Sequence, residues 1–128
     1  MKEPYLSVVI PAYNESERII ASLEQVTSYL LSQPYTCEVL VVNDGSDDDT
    51  VERVEAFSSK IPVRLLSITH GGKGWATRHG MLEARGSYRF LCDADLSMPI
   101  EQITRFLPSA LGDYDVAIAS REIVNAQR

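Results

Sequence analysis

Five short apolar runs set the architecture: Leu6–Ile10, Val39–Val42, Val63–Ile68, Tyr88–Cys92 and Val116–Ala119. They are almost continuous in apolar character, which suits strands buried on both faces. Segments of helical period separate them. Ile19, Ile20, Leu23, Val26, Leu30 and Leu31 fall on one helical face, and so do Ile100, Ile103, Phe106, Leu107 and Leu111. Val51, Val54 and Phe57 form a shorter stripe, and a further helix is expected from about Gly74 to Ala84. The order β-α-β-α-β-α-β-α-β predicts an α/β fold of three layers, with a mainly parallel central sheet and helices on both faces. No linker or repeat divides the 128 residues, so residues 1–128 are read as one unit.

Charge narrows the function. Twelve Lys and Arg against 18 Asp and Glu give a formal net charge of -6. That argues against a nucleic-acid partner held by phosphate neutralisation, but leaves room for a nucleotide site in which a metal supplies positive charge. No run reaches the roughly 18–20 apolar residues that span a membrane. Met1-Lys2-Glu3-Pro4 leads straight into the first strand, so no signal peptide is expected. Cys37 and Cys92 lack metal-ligand spacing and read as reduced core thiols of a cytoplasmic protein.

Parallel sheets bind ligands beyond the carboxyl ends of their strands. Those ends carry "PAYNESE", "NDGSDDDT", "THGGKGWA", "DADLSMP" and "SRE". Polar groups therefore gather at one edge. Asp93 and Asp95 point to the same side of an extended segment. Two close carboxylates repel unless a cation compensates, which a hard ion such as Mg²⁺ or Mn²⁺ does with oxygen ligands. The competing reading, an Asp capping the helix near Pro99, is weaker because Ser97 is the better-placed cap. Asp44 suits a ribose or base contact equally as well as a turn before Gly45.

Asp47, Asp48 and Asp49 read as first-turn helix charges. Tyr13 could stack on a base and Glu15 accept from it. The alternative gives Asn14 or Ser16 to the start of the next helix, with Glu15 a solvated charge. Lys73 lies in a glycine-rich loop that departs from both phosphate-loop spacings, yet exposed N–H groups and a lysine on the ligand edge favour phosphate contact. His70 and His79 have no third partner for a metal. Trp75 reads as core, and Cys92 as packing.

Together "SVVIPAYNESERI", "VVNDGSDDDT", "GGKGWATRHGMLEARGSYRFLCDADLSMP" and "VAIASR" resemble the family 2 glycosyltransferases of GT-A (Rossmann-like) fold. The resembling branch is that of dolichyl- or polyprenyl-phosphate glucosyl and mannosyl synthases. The resemblance implies that Pro11, Ala12, Tyr13 and Glu15 line the base pocket, with Val42 and Asp44 on base and ribose. It implies that Asp93, Ala94 and Asp95 form the Asp-x-Asp element, Asp93 facing ribose or metal and Asp95 binding Mg²⁺ or Mn²⁺. Arg121 would sit near the donor and acceptor phosphates, making it and Asp95 the catalytic candidates.

The implied reaction is inverting, metal-assisted transfer of a hexose from a nucleotide sugar to a lipid phosphate. Ser97 stands where mannosyl synthases of this type often have Gln, which tilts the expected donor from GDP-mannose towards UDP-glucose. Catalytic domains of this family extend further, so the chain is expected to be the donor-binding, N-terminal part. The remainder would carry the acceptor site and any peripheral membrane contact, at the cytoplasmic face. An apolar edge left uncovered in the short chain would favour self-association. Two rivals are a nucleotide-diphosphate-binding module without transfer and a dinucleotide-dependent oxidoreductase. "PAYNE" in place of a glycine fingerprint speaks against the second.

Overall fold

The computed structural model describes residues 4–95 and the strand at 116–119. The elements follow one another as β1 (Leu6–Ala12), α1 (Ile19–Leu31), β2 (Cys37–Asn43), α2 (Thr50–Ala56), β3 (Val63–Ser67), α3 (Lys73–Glu83), β4 (Tyr88–Cys92) and β5 (Val116–Ala119). The five strands form one sheet in the order β3-β2-β1-β4-β5, every neighbouring pair parallel. The expected α/β architecture is therefore present. The helix expected over Ile100–Leu111 lies outside the described residues. Among the described residues no helix is long and apolar enough to cross a membrane.

Each face of the sheet has its own core. On one, Leu6, Val8 and Ile10 of β1 and Val39 and Val41 of β2 pack with Ile19, Leu23, Val26 and Leu30 of α1 and Val54 of α2. On the other, Val9, Leu40, Val42 and Leu91 meet Ala76 and Ala84 around α3. Alternate strand residues thus feed opposite cores, which is why the sequence shows apolar runs and not alternation. Helix α3 lies close to the sheet because the residue facing it is Gly80. A Cβ there would stand 2.5 Å from Val9 Cγ1 and 2.8 Å from Val42 Cγ2, and β-branched side chains yield little.

The strand order reverses between β1 and β4, which makes this the switch point of the sheet. The β1–β2 ladder runs through Ala12↔Asn43, whereas the β1–β4 ladder ends at Val9↔Leu91. Proline accounts for the difference. Backbone groups of successive β1 residues face opposite neighbours: Tyr5 O accepts from Tyr88 N, and Ala12 O from Asp44 N. By that alternation Pro11 faces β4, where it has no N–H to give. Open α/β sheets take ligands at such switch points.

At the opposite end of the sheet a buried carboxylate is fully engaged. Glu38 accepts from Arg64 Nε at 2.8 Å, from Ser7 Oγ at 2.6 Å and from the Arg85 N–H at 2.9 Å. Burial alone would raise its pKa, but the bonds from Arg64, Ser7 and Arg85 together hold it below its ordinary value. A hollow of about 520 Å³ beside this network is lined by Tyr35, Ile61 and Pro62 among others. It lies at the amino ends of β2 and β3, the wrong end for a ligand of a parallel sheet.

A carboxylate with a depressed folded pKa stabilises the fold above its unfolded pKa and loses that contribution as pH falls through the folded value. Glu38→Gln is therefore expected to lower stability by about 1–3 kcal/mol at neutral pH. It should also flatten the loss of stability on acidification below about pH 4.5, measured by urea denaturation across pH.

Candidate functional site

The loops after β1 and β2 are stitched into one wall. Asn14 adopts a left-handed φ of 54°. Its side-chain Oδ1 accepts from the Asp47 N–H at 2.7 Å, and its own N–H donates to Ser46 Oγ at 2.9 Å. The Glu15 and Ser16 N–H groups donate to Thr50 Oγ1 at 3.0 Å and Asp48 Oδ2 at 3.3 Å. Helix α1 starts only at Ile19, with Arg18 in the cap position and no side-chain cap. Asn14 and Ser16 therefore serve the neighbouring loop and not the helix start. Asp48 likewise precedes α2: it accepts from the Thr50 hydroxyl at 2.5 Å, a bond that holds its pKa down to about 2.

Asp44 is 3% exposed. Its Oδ1 and Oδ2 accept the N–H groups of Gly71 and Gly72, each at 2.9 Å. His70 Nδ1 lies 3.0 Å from both the carbonyl oxygen and Oδ2 of Asp44. The imidazole is thereby set against Tyr13, ring centres 4.4 Å apart and planes 31° from parallel. Gly45 permits this approach: its φ is 73°, and a Cβ there would stand 2.9 Å from His70 N and Cβ.

A cleft of about 260 Å³ follows from these contacts. Pro11, Ala12, Tyr13, Glu15, Asp44 and Lys73, six of the residues expected from sequence, line it. His70, Gly72 and Ala76 complete the lining and were not expected. Sequence carries little sign of His70, because a lone histidine shows its role only when the fold brings Tyr13 beneath it. Val42 corrects the expectation. It is wholly buried in the α3-side core beneath Gly80, on the same sheet face as Pro11 but below the cleft lining, so its side chain is not among the residues that line the cleft. Trp75 corrects another: it is 48% exposed, its ring edge-on to His79 at 4.5 Å, because the sheet-facing line of α3 is taken by Ala76 and Gly80.

The turn after β4 presents the paired carboxylates. Ala94 is 4% exposed and packs in the α1-side core, and it is likewise absent from the cleft lining. Its carbonyl accepts a short hydrogen bond from the buried Ser22 hydroxyl of α1. That anchor leaves Asp93 partly open and Asp95 exposed on either side of it. Lys73, the first residue of α3, places its ammonium 2.6 Å from Asp93 Oδ1. Arg18 binds Glu15 through Nε at 2.9 Å and Nη2 at 2.6 Å. The pKa of Arg18 is raised, first by that bond and further by the charge of Asp95. Burial pushes the Cys92 thiol up to about 12, with Asp93 and Asp95 adding to the shift, so it is no nucleophile. Arg121 lies outside the described residues.

The residues suit a hard divalent ion. Asp93 already attracts a cation to its carboxylate, and Asp95 adds oxygen donors one residue on. Among the described residues no cluster of three His, Cys, Asp or Glu could hold a metal alone. Mg²⁺-type ions take one or two carboxylates and complete their shell with substrate phosphates and water, so the chemistry of this pair fits such an ion.

Residues 7–128 match Glycosyl transferase family 2. A dolichyl-phosphate beta-glucosyltransferase of Trichomonas vaginalis is 40% identical over 107 residues, covering 78% of this chain and 32% of the relative. The structure of a mannosyltransferase from Pyrobaculum calidifontis in complex with GDP-Man and Mn²⁺ superposes with a TM-score of 0.67 at 27% identity, over 88% of this chain and 33% of that one. Glucosyl-3-phosphoglycerate synthase from Mycobacterium tuberculosis, in complex with Mn²⁺, UDP and glucosyl-3-phosphoglycerate, gives 0.63 at 29% identity, over 84% and 39%. The chain spans about a third of the length of these relatives. Its family match, its GT-A-like sheet and the residues at its switch point place it in glycosyl transferase family 2.

Proposed function

We propose that this chain is the donor-binding part of an inverting glycosyltransferase. The enzyme would move a hexose from a nucleotide sugar to a polyprenyl or dolichyl phosphate. The observation that carries the reading is the convergence at the switch point. An aromatic pair, Tyr13 and His70, stands on one side of the cleft. Asp44 lines it as well, and so does Lys73, whose ammonium pairs with Asp93. These are groups suited to base, ribose and diphosphate. UDP-hexose is the favoured donor, supported by the glucosyltransferase name of the Trichomonas relative and by the UDP in the Mycobacterium structure. GDP-mannose is the alternative, supported by the Pyrobaculum complex.

Each residue has a physical task in this reading. Tyr13 and His70 offer a flat apolar surface to the base. Asp44 keeps acceptor capacity beyond its two backbone bonds, because a carboxylate has about four lone-pair sites. Asp93 and Asp95 would hold a divalent cation, which when bound stabilises the charge of the departing nucleoside diphosphate. Lys73 supplies a further positive charge at the N-terminus of α3, where the helix dipole also favours anions. Arg121 is proposed to act on the donor and acceptor phosphates. A lipid phosphate needs no general base, since its second pKa near 6 leaves it largely anionic at neutral pH.

Calorimetric titration of UDP-glucose and GDP-mannose, each with and without Mn²⁺, tests donor binding. A radiolabelled-donor assay with polyprenyl phosphate tests transfer. Binding of neither nucleotide sugar would reject the proposal. The short chain alone is expected to bind donor with little or no transfer, and absence of transfer by a version extended to full family length would favour the rival binding module. Asp95→Ala is expected to leave the thermal transition nearly unchanged, because the side chain is exposed, while Mn²⁺-dependent affinity falls more than about tenfold. Tyr13→Ala is expected to weaken nucleotide binding about five- to tenfold through lost stacking and to leave the affinity for Mn²⁺ alone unchanged, read by the same titrations.

A further inference from the structure

We propose that Lys73 is a place-holding cation. Its ammonium neutralises Asp93 in the donor-free protein and passes to the donor diphosphate when a divalent ion takes the carboxylate. The inference rests on the nucleotide-sugar reading and adds to it an exchange of one positive charge for another.

The geometry supplies both halves of the exchange. Lys73 Nζ lies 2.6 Å from Asp93 Oδ1, an atom sealed from solvent. A metal ion ligated by that carboxylate would meet the ammonium at close range, where like charges repel strongly. The lysine can leave without disturbing the fold, because its side chain is 59% exposed. Its backbone stays put: the preceding Gly71 and Gly72 N–H groups are both held by Asp44. The head group therefore swings on an anchored stem beside the same cleft that Asp44 and Tyr13 line.

The consequence is coupling. A metal ion arriving alone must break the ion pair and leaves the ammonium without a new partner. A metal ion arriving with a diphosphate gives the ammonium two anionic groups to bind. Metal and nucleotide should each raise the other's affinity, as linkage requires. Lys73 would enforce this by opposing the metal alone and favouring the pair. A purely structural lysine would move both affinities in the same direction.

The test uses the 128-residue chain and two measurements. Free Mn²⁺ is counted by electron paramagnetic resonance without nucleotide, and UDP is titrated at saturating Mn²⁺. Lys73→Met is expected to tighten Mn²⁺ alone about two- to fivefold, the range of a partly exposed ion pair. It should weaken UDP in the presence of Mn²⁺ about three- to tenfold through loss of a charge-assisted bond. Lys73→Gln should repeat both signs, and Lys73→Arg should restore the wild-type behaviour. Unchanged or weaker Mn²⁺ binding in Lys73→Met, with normal Mn²⁺-dependent UDP binding by the wild type, would overturn the exchange alone. Absence of Mn²⁺-dependent UDP binding in the wild type would overturn the donor reading beneath it.

Discussion

The carboxylate of Asp44 decides where the loop before α3 runs, and most of the site follows from that loop. The residue is at once a strand-end anchor and a receptor for two backbone N–H groups. Its own N–H donates to Ala12 O at 2.9 Å, and its oxygens take Gly71 and Gly72. Bonds to an ionised acceptor are about twice as strong as neutral ones, and here they form at a site 3% exposed. Release of the loop would free His70 from Tyr13 and move Lys73 from Asp93. The turn reading and the ligand reading of Asp44 are thus not opposed. The first places the groups that make the second useful.

Preorganisation is the wider consequence. Nucleotide affinity is eroded by every loop that must be ordered on binding. Here the 13–16 segment is already bonded to the 46–50 segment through Asn14, Ser46, Asp48 and Thr50. The left-handed Asn14 is a local cost, since few non-glycine residues adopt positive φ. It is sustained by three hydrogen bonds to the facing loop.

Strand identity was legible because both faces of the sheet are covered, which leaves an apolar run for each strand. The α1 stripe was legible for the same reason, its partners being large. Helix α3 was harder to read, since its sheet-facing residues are Ala76, Gly80 and Ala84, whose size and not whose hydrophobicity is what the fold uses. In the site, Tyr13, Glu15, Asp44 and Lys73 could be gathered from their place after strands. Val42 and Ala94 could not be excluded that way, because position after or within a strand does not say which core a side chain enters. His70 and the exposed Trp75 depended on tertiary contacts between loops far apart in sequence.

The last constraint is charge. In the proposed reading a chain of net charge -6 takes up a diphosphate at an edge that carries Glu15, Asp44, Asp48, Asp93 and Asp95. The acids are engaged from within: Glu15 by Arg18, which also feels the charge of Asp95, Asp44 by two N–H groups, Asp48 by Thr50 and Asp93 by Lys73. Such pairing stabilises the acids, but it also consumes the positive charge that an incoming anion would seek. Only Arg18 and Lys73 bring charge among those partners, so the edge stays net negative before the donor arrives, and the donor adds to that deficit. An added cation removes that deficit only if Lys73 is freed for the phosphates. For that reason the acid cluster and the single lysine belong to one device, and neither alone would make the switch-point crevice a diphosphate site.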